Sequence, residues 1–384
     1  LRLLLAACVL FQHNQDLAFG ARLGSPLRPL EIGSLAVLAF FVISGIIVVA
    51  AAERFYIDAP GRFLSNRFVR IFPAYLTILL VSYLVLTPFA WNGSLMTHEG
   101  HPAGPGSQSL YNLVANALYA LPVVNSLVEP SYSFLEIVWA VRTEFLFYCV
   151  VFAALLGAGM IGRSQAVVRL CEQRGLDQVG RFRAVLAALL GGAFVIYYIN
   201  DLWPFFPFDS IRFVPTFALG TALCFALRGY RVAGWLSVPL FLLTLHEILH
   251  QPAVHPTAHF VRNLPGEAIV FTGMLAAILM LAKVRLVPDR LDRLCGDISY
   301  PVYVGHLLPV IVLASMGELA HPTFLWIIPS LVGTALIVFV VDRGIELPVA
   351  AIRARIRGTR LDPPGMTRSN GPAGSAGPAV PAAG

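Results

Sequence analysis

Charge is scarce in this 384-residue chain. Only 12% of its residues are Asp, Glu, Lys or Arg, while 57% are hydrophobic. A soluble globular domain carries about 25% charged residues, so the shortage excludes an ordinary water-solvated fold. Lysine is nearly missing, with Lys283 alone, and the net charge of +6 is therefore carried by arginine. On a chain built for lipid such charge reports orientation rather than nucleic-acid binding. The five cysteines (Cys8, Cys149, Cys171, Cys224 and Cys295) lack paired spacing. That argues against a disulfide framework and a cysteine metal site, and leaves them as small apolar residues. Long alternating ten-residue segments are missing too, which speaks against a membrane β-barrel. No A-x-A-type cleavage site follows the first apolar run, so that run is expected to remain as a span. There is no internal repeat of the kind that builds inverted-repeat transporters.

What is present is a series of apolar stretches near the ~20 residues a helix needs to cross ~30 Å of hydrocarbon. They predict an all-α membrane protein, a polytopic bundle of about ten transmembrane helices. The predicted spans are 3–19, 32–52, 72–90, 132–156, 184–201, 212–228, 232–250, 267–283, 298–316 and 323–342. With the N-terminus in the cytoplasm, only Arg22, Arg28, Arg212 and Arg262 among the 27 Lys and Arg fall on the far side, and Arg142 falls within a span. This asymmetry fits the positive-inside rule and predicts both termini in the cytoplasm. Segment 91–131 has no Lys or Arg and is expected outside. Its first part, Asn92 to Ser107, reads as loop, and its second, Leu110 to Leu127, as an interfacial stretch. The chain divides into a transmembrane domain, 1–360, and a Pro/Gly/Ala-rich tail, 361–384, too poor in apolar residues to fold.

Several polar groups lie in or beside the spans. Arg2 and His13, eleven residues apart, return to nearly the same face of a helix about 16 Å apart. An ionisable group inside a span is a functional candidate, though a histidine satisfied by a neighbouring helix is an equal reading. Ser44-Gly45 allows close backbone approach by another helix or a ligand. Arg67 and Arg70, at i and i+3, share a helix face at the cytoplasmic border, and their forked donors suit phosphates. Taken alone, ordinary positive-inside charge explains them better. Glu144 lies inside a span with Tyr148 one turn on, and Arg142 is too close in sequence to face the same way. Ser299, Tyr303 and His306 fall at i, i+4 and i+7 on one face; interhelical hydrogen bonding is the plainer role for Ser299.

This ordered set resembles the membrane-bound acyltransferase family 3, multi-span enzymes that O-acylate bacterial surface glycans and related acceptors. The resemblance runs from Arg2 and His13 through Phe40-Phe41, Ser44-Gly45, Arg67, Arg70, Pro73 and Tyr75. It continues with Trp139, Glu144 and Tyr148, the stretch Arg212 to Gly220, Ser299-Tyr300-Pro301 with Tyr303 and His306, and closes at Glu346 and Pro348. One departure is Trp139-Ala140, where Ser or Thr usually follows the Trp. The resemblance implies a multi-pass protein of the bacterial cytoplasmic membrane that moves an acyl group, acetyl in the first instance, from acyl-CoA to a glycan or related hydroxyl, with no permanently bound cofactor or metal. His13 would take the hydroxyl proton, with Glu144 orienting it or sharing the proton. Arg67, Arg70 and Arg2 would hold the coenzyme A phosphates, and Ser44, Trp139, Tyr148, Tyr303 and His306 would support the site. An acyl-His13 relay is the alternative chemistry.

Two other classes compete. His246-Glu247-Ile248-Leu249-His250 is an H-E-x-x-H, which on a helix can bind zinc in a metallopeptidase, completed by His255, His259 or Glu267. It lies at the expected external end of a span, before Gln251-Pro252, and no downstream Asp partner in a later span is recognisable, since Asp289, Asp292 and Asp297 fall on the cytoplasmic side. A His-rich helix end at the membrane surface accounts for it better. A non-catalytic transporter or flippase would also use buried Arg, Glu and His.

Overall fold

The computed structural model describes residues 1–23, 27–97, 101–104, 106–122, 128, 130–173, 175–202, 209–250, 263–283, 288–317 and 323–358. The tail expected to be disordered, 361–384, lies outside them. Among the described residues the chain is helical and has no sheet, only an isolated bridge between Met96 and Pro102. The helices are α1 (Arg2–Leu23), α2 (Ile32–Phe55), α3 (Pro60–Trp91), α4 (Leu110–Tyr119), α5 (Val138–Ile161), α6 (Gln165–Gln173) and α7 (Gln178–Leu202). They continue with α8 (Val214–Ala226), α9 (Arg231–His250), α10 (Leu264–Lys283), α11 (Asp289–Gly305), α12 (Leu307–Ser315), α13 (Ile327–Val341) and α14 (Leu347–Arg357).

Among the described residues, eight helices are long and apolar enough to cross a membrane, and the protein is a multi-pass membrane protein. The other two of the ten predicted spans correspond to α1 and α8. In α1 the polar run Gln12 to Asp16 dilutes the apolar content. In α8 only 13 residues are α-helical, because the chain enters through a 3₁₀ turn, Asp209–Phe213, ahead of Pro215. Apolar side chains point outward on the peripheral helices: Leu80 and Leu84 of α3, Ile199 of α7, Leu242 of α9, Phe339 of α13. Lipid tails, not water, are the natural solvent for that surface.

Helix α2 is the hub, packed against α1, α5, α8 and α10. Its closest neighbour is α8, and two glycines set the distance. A Cβ on Gly45 would lie 2.6 Å from the Phe217 carbonyl oxygen, and one on Gly220 would lie 2.2 Å from that of Val42. The small-residue contact expected at Ser44-Gly45 is thus a backbone-to-backbone crossing, as in membrane bundles generally.

At the other side of the bundle, α4 is fastened rather than merely resting at an interface. Ser109 caps it by accepting from the Asn112 amide. Asn112 and Asn116, both buried, each donate from Nδ2 to the Tyr132 carbonyl, and Asn116 Oδ1 accepts from the Phe134 amide. Tyr75 donates to the Asn116 carbonyl at 2.6 Å. These bonds fix the stretch that leads into α5 and hence the position of Trp139 to Tyr148. At the opposite end, Glu53 at the C-terminus of α2 accepts from Arg183 of α7 at 2.6 Å and from Arg228 beyond α8, tying three helices together. Between α5 and α7 lies the short helix α6.

Candidate active site

Five helices meet around a narrow cavity of about 50 Å³. Helix α2 contributes Val37, Phe40, Phe41 and Ser44, which follow the i, i+3, i+4, i+7 pattern of one helical face. Across from it stand Glu144 and Tyr148 of α5, Arg70 and Ile71 of α3, Ser299, Tyr300 and Tyr303 of α11, and Arg2 from the first turn of α1. Of the residues expected to cooperate, Arg2, Ser44, Arg70, Glu144, Tyr148, Ser299 and Tyr303 line this one space, whereas His13, Arg67, Trp139 and His306 are not among its lining residues.

Glu144 is the anchored anion of that space. Its Oε1 accepts from the Tyr148 hydroxyl at 2.5 Å and from the Ser44 hydroxyl at 3.0 Å. Tyr148 is one turn along the same helix, so its reach to Glu144 follows from α-helical spacing alone. Charged hydrogen bonds of this kind are short and strong. Arg2 interacts electrostatically with Glu144, Tyr148, Arg67 and Arg70. Nε of Arg2 and of Arg67 have no hydrogen-bond partner among the described residues. The Arg67 guanidinium lies over the rings of both Phe63 and Tyr148, 5.4 Å from each centroid, which keeps it buried yet oriented. Arg142 does face away from Glu144, its guanidinium 4.6 Å over the Tyr119 ring.

His13 lies three turns beyond Arg2 on α1, about 16 Å along the axis. Its ring centroid is 5.2 Å from that of His306, tilted by 38°. His306 follows Tyr303, whose ring is 6.3 Å from the imidazole and 5.7 Å from Phe40. Nδ1 of His306 sits 2.8 Å from the Tyr303 carbonyl oxygen and 3.2 Å from that of Val302. A carbonyl only accepts, so Nδ1 is the nitrogen that carries the proton in these contacts. The arrangement is a ladder: arginines and Glu144 at one level, Tyr303 next, then the two imidazoles. Sequence reasoning joined His13 to Glu144; in the structure Glu144 accepts from Tyr148 and Ser44, and His13 sits against His306.

The remaining expected residues have simple placements. Trp139 stacks on Phe213 at 5.3 Å and meets Phe41 edge-on at 6.3 Å, an aromatic wall behind the cavity. Ser299 donates to the Gly296 carbonyl of its own helix rather than to another helix. His246 is exposed at the end of α9, and Glu247 accepts from the Tyr197 hydroxyl. His255 and His259 lie outside the described residues. Among the described residues no group of three His, Cys, Asp or Glu is placed to hold a metal ion. Sequence reasoning gave no role to Arg353 of α14, whose Nη1 is 3.7 Å from Glu346. The available signal was the Arg353/Arg357 pair one turn apart after a buried Glu.

A family model described as an acyltransferase domain matches residues 1–343. Comparison with curated proteins and with solved structures gives no match.

Proposed function

The chain belongs to the acyltransferase 3 family, and from that premise we propose an O-acyltransferase that carries an acyl group, acetyl in the first instance, from acyl-CoA to a hydroxyl of a glycan or related acceptor. In this reading it resides in the bacterial cytoplasmic membrane with both termini and the cavity arginines toward the cytoplasm, a placement supported by the charge asymmetry. The observation that carries this reading is the ladder itself. Arg2 and Arg70, cations able to hold phosphates, line the cavity with Glu144 and Tyr303, and the His13–His306 pair lies beyond Tyr303.

The chemistry follows from the residues. An alcohol is a weak nucleophile at neutral pH. As its oxygen attacks the thioester carbonyl, its proton passes to His13, the C–S bond breaks, and the thiolate leaves and is protonated. His306, with Nδ1 committed to backbone carbonyls, fixes the polar surroundings of His13 and shares the charge that develops there. Glu144, held by Tyr148 and Ser44, balances Arg2, Arg67 and Arg70 and keeps these cations aimed along the cavity. Arg67 and Arg70 bind donor phosphates through charge-assisted bonds.

The test is acyl transfer by purified protein in detergent, with labelled acyl-CoA and candidate sugars. General-base catalysis contributes roughly 10²–10⁴-fold, so His13→Ala should lose transfer by at least ~100-fold while still binding coenzyme A. Label that never leaves coenzyme A with any acceptor, water included, overturns the reading in favour of a transporter. In cells, loss of the gene should remove an acetyl-sized mass from a surface glycan.

A further inference from the structure

Helix α14 lies beyond residue 343, where the family match ends. It is nevertheless built onto the arginine end of the cavity. The chain leaves α13 through a π-helical turn, Asp342–Glu346, that buries Glu346, and α14 then lies along the first turns of α3. Asn66 Nδ2, one residue before Arg67, donates to the Arg353 carbonyl at 2.8 Å. One turn on, the Arg357 guanidinium sits 5.5 Å over the Phe55 ring at the end of α2. Arg353 and Arg357 thus share the face that α14 turns toward α2 and α3.

This packing gathers like charges. Arg353 interacts electrostatically with Arg70 and Arg67, and Arg353, Arg357 and Arg67 all act on Tyr56. Against these four guanidiniums the carboxylates that act on Arg353 are Glu346 and Asp297. Glu346 reaches Arg353 only at 3.7 Å, and Arg353 Nε is buried without a hydrogen-bond partner among the described residues. A fold stabilised by neutral pairing would not concentrate cations in this way, since each added like charge raises the local potential. A polyanion relieves it. Coenzyme A is such a molecule: it carries a pyrophosphate and, separately, a phosphate on the ribose 3′ oxygen. Arg67 and Arg70, three residues apart on one face, suit the pyrophosphate; Arg2 faces Glu144 and Tyr148, and Arg353, whose Nε has no hydrogen-bond partner among the described residues, is the cation beside them that remains for the third phosphate.

We propose that α14 forms part of the donor site and that Arg353 binds the 3′-phosphate of the coenzyme A moiety. This rests on the acyl-CoA reading above and adds a residue and a phosphate to it. When the donor binds, Arg353 exchanges its long contact with Glu346 for a bidentate bond to the phosphate, and Arg357 keeps α14 seated through Phe55.

The experiment measures equilibrium binding of coenzyme A and of its 3′-dephospho form to the full-length protein in detergent. The wild type should prefer coenzyme A by about tenfold or more, the usual yield of one charge-assisted contact. Arg353→Gln should bind both forms alike, at the level of the dephospho form, and Arg353→Lys should restore part of the preference. Because Arg353→Gln leaves Glu346 without its cation, the double variant Glu346→Gln/Arg353→Gln serves as the folding control and should show the same loss of preference. Equal binding of the two forms by the wild type overturns the role of Arg353 while leaving the donor assignment intact. A preference that survives in Arg353→Gln does the same, and assigns the 3′-phosphate to another cation. Binding of neither form by the wild type overturns the donor assignment itself.

Discussion

Replacing Gly220 with alanine adds one carbon at the crossing of α2 and α8. That carbon would stand 2.2 Å from the Val42 carbonyl oxygen and 2.9 Å from its carbonyl carbon, with Gly45 Cα at 3.0 Å. Carbon and oxygen in ordinary contact are more than 3 Å apart, so the two helices must separate by about 1 Å. No rotamer change relieves the clash, because every atom met is backbone. Overpacking a core costs ~1–3 kcal/mol, and with two rigid backbones the upper end applies, about 3 kcal/mol. Alanine's better helix propensity returns about 1 kcal/mol, so the net loss is about 2 kcal/mol. A separation near 1 Å also forfeits a quarter to a half of each dispersion contact along the seam, including the Phe41–Phe217 stack at 4.8 Å. Since α2 carries Phe40, Phe41 and Ser44 of the cavity wall, acyl transfer should fall further than stability does; a misplacement near 1 Å can cost ~100-fold in rate. The comparison is Gly191→Ala in α7, where an added Cβ meets nothing within 4 Å; it should leave stability unchanged or raise it by up to about 1 kcal/mol. Denaturant unfolding and initial transfer rates on both purified variants decide the matter. If Gly220→Ala is as stable and as active as Gly191→Ala, the crossing does not hold the site in place.

Three further outcomes are expected. Asn116→Ala removes two Nδ2 donations and the acceptor for the Phe134 amide from a buried position. With unsatisfied groups at ~1–3 kcal/mol each, it should lower the unfolding midpoint and slow transfer; unchanged stability would mean that α4 does not set the start of α5. Tyr148→Phe deletes the 2.5 Å bond to Glu144 and should weaken a contact worth ~1.5–3 kcal/mol, seen as a roughly tenfold loss of transfer efficiency with the protein still folded. EDTA and His246→Ala should both leave transfer intact, as His246 is exposed on α9 and not among the residues lining the cavity; a metal-dependent loss in either assay would revive the H-E-x-x-H motif.

Much of the site was legible because its parts obey local rules. Tyr148 reaches Glu144 because i and i+4 meet on a helix, Arg142 turns away because i+2 does not, and Ser299 and Tyr303, i and i+4 on α11, both line the cavity, with His306 at the junction that follows. Gly45 announced close packing without naming its partner, Gly220, 175 residues away. The pairings that were not legible are those set by how helices dock. His13 could be placed on its own helix, but nothing in the order of residues says that His306 lies beside it and that Glu144 is held by Ser44. The same holds for Asn66 and Arg353, joined across 287 positions. The ten predicted spans all correspond to helices, but α8 is too short to cross by itself because its first turn is 3₁₀, a conformation that composition does not disclose.

The narrowness of the cavity has a consequence for how the bundle must behave. A space of about 50 Å³ admits water-sized molecules and is smaller than an acyl donor together with its acceptor. The helices that line it would therefore have to part to admit both. Any substitution that locks α2, α3, α5 and α11 together should thus slow acyl transfer more than it changes the stability of the fold.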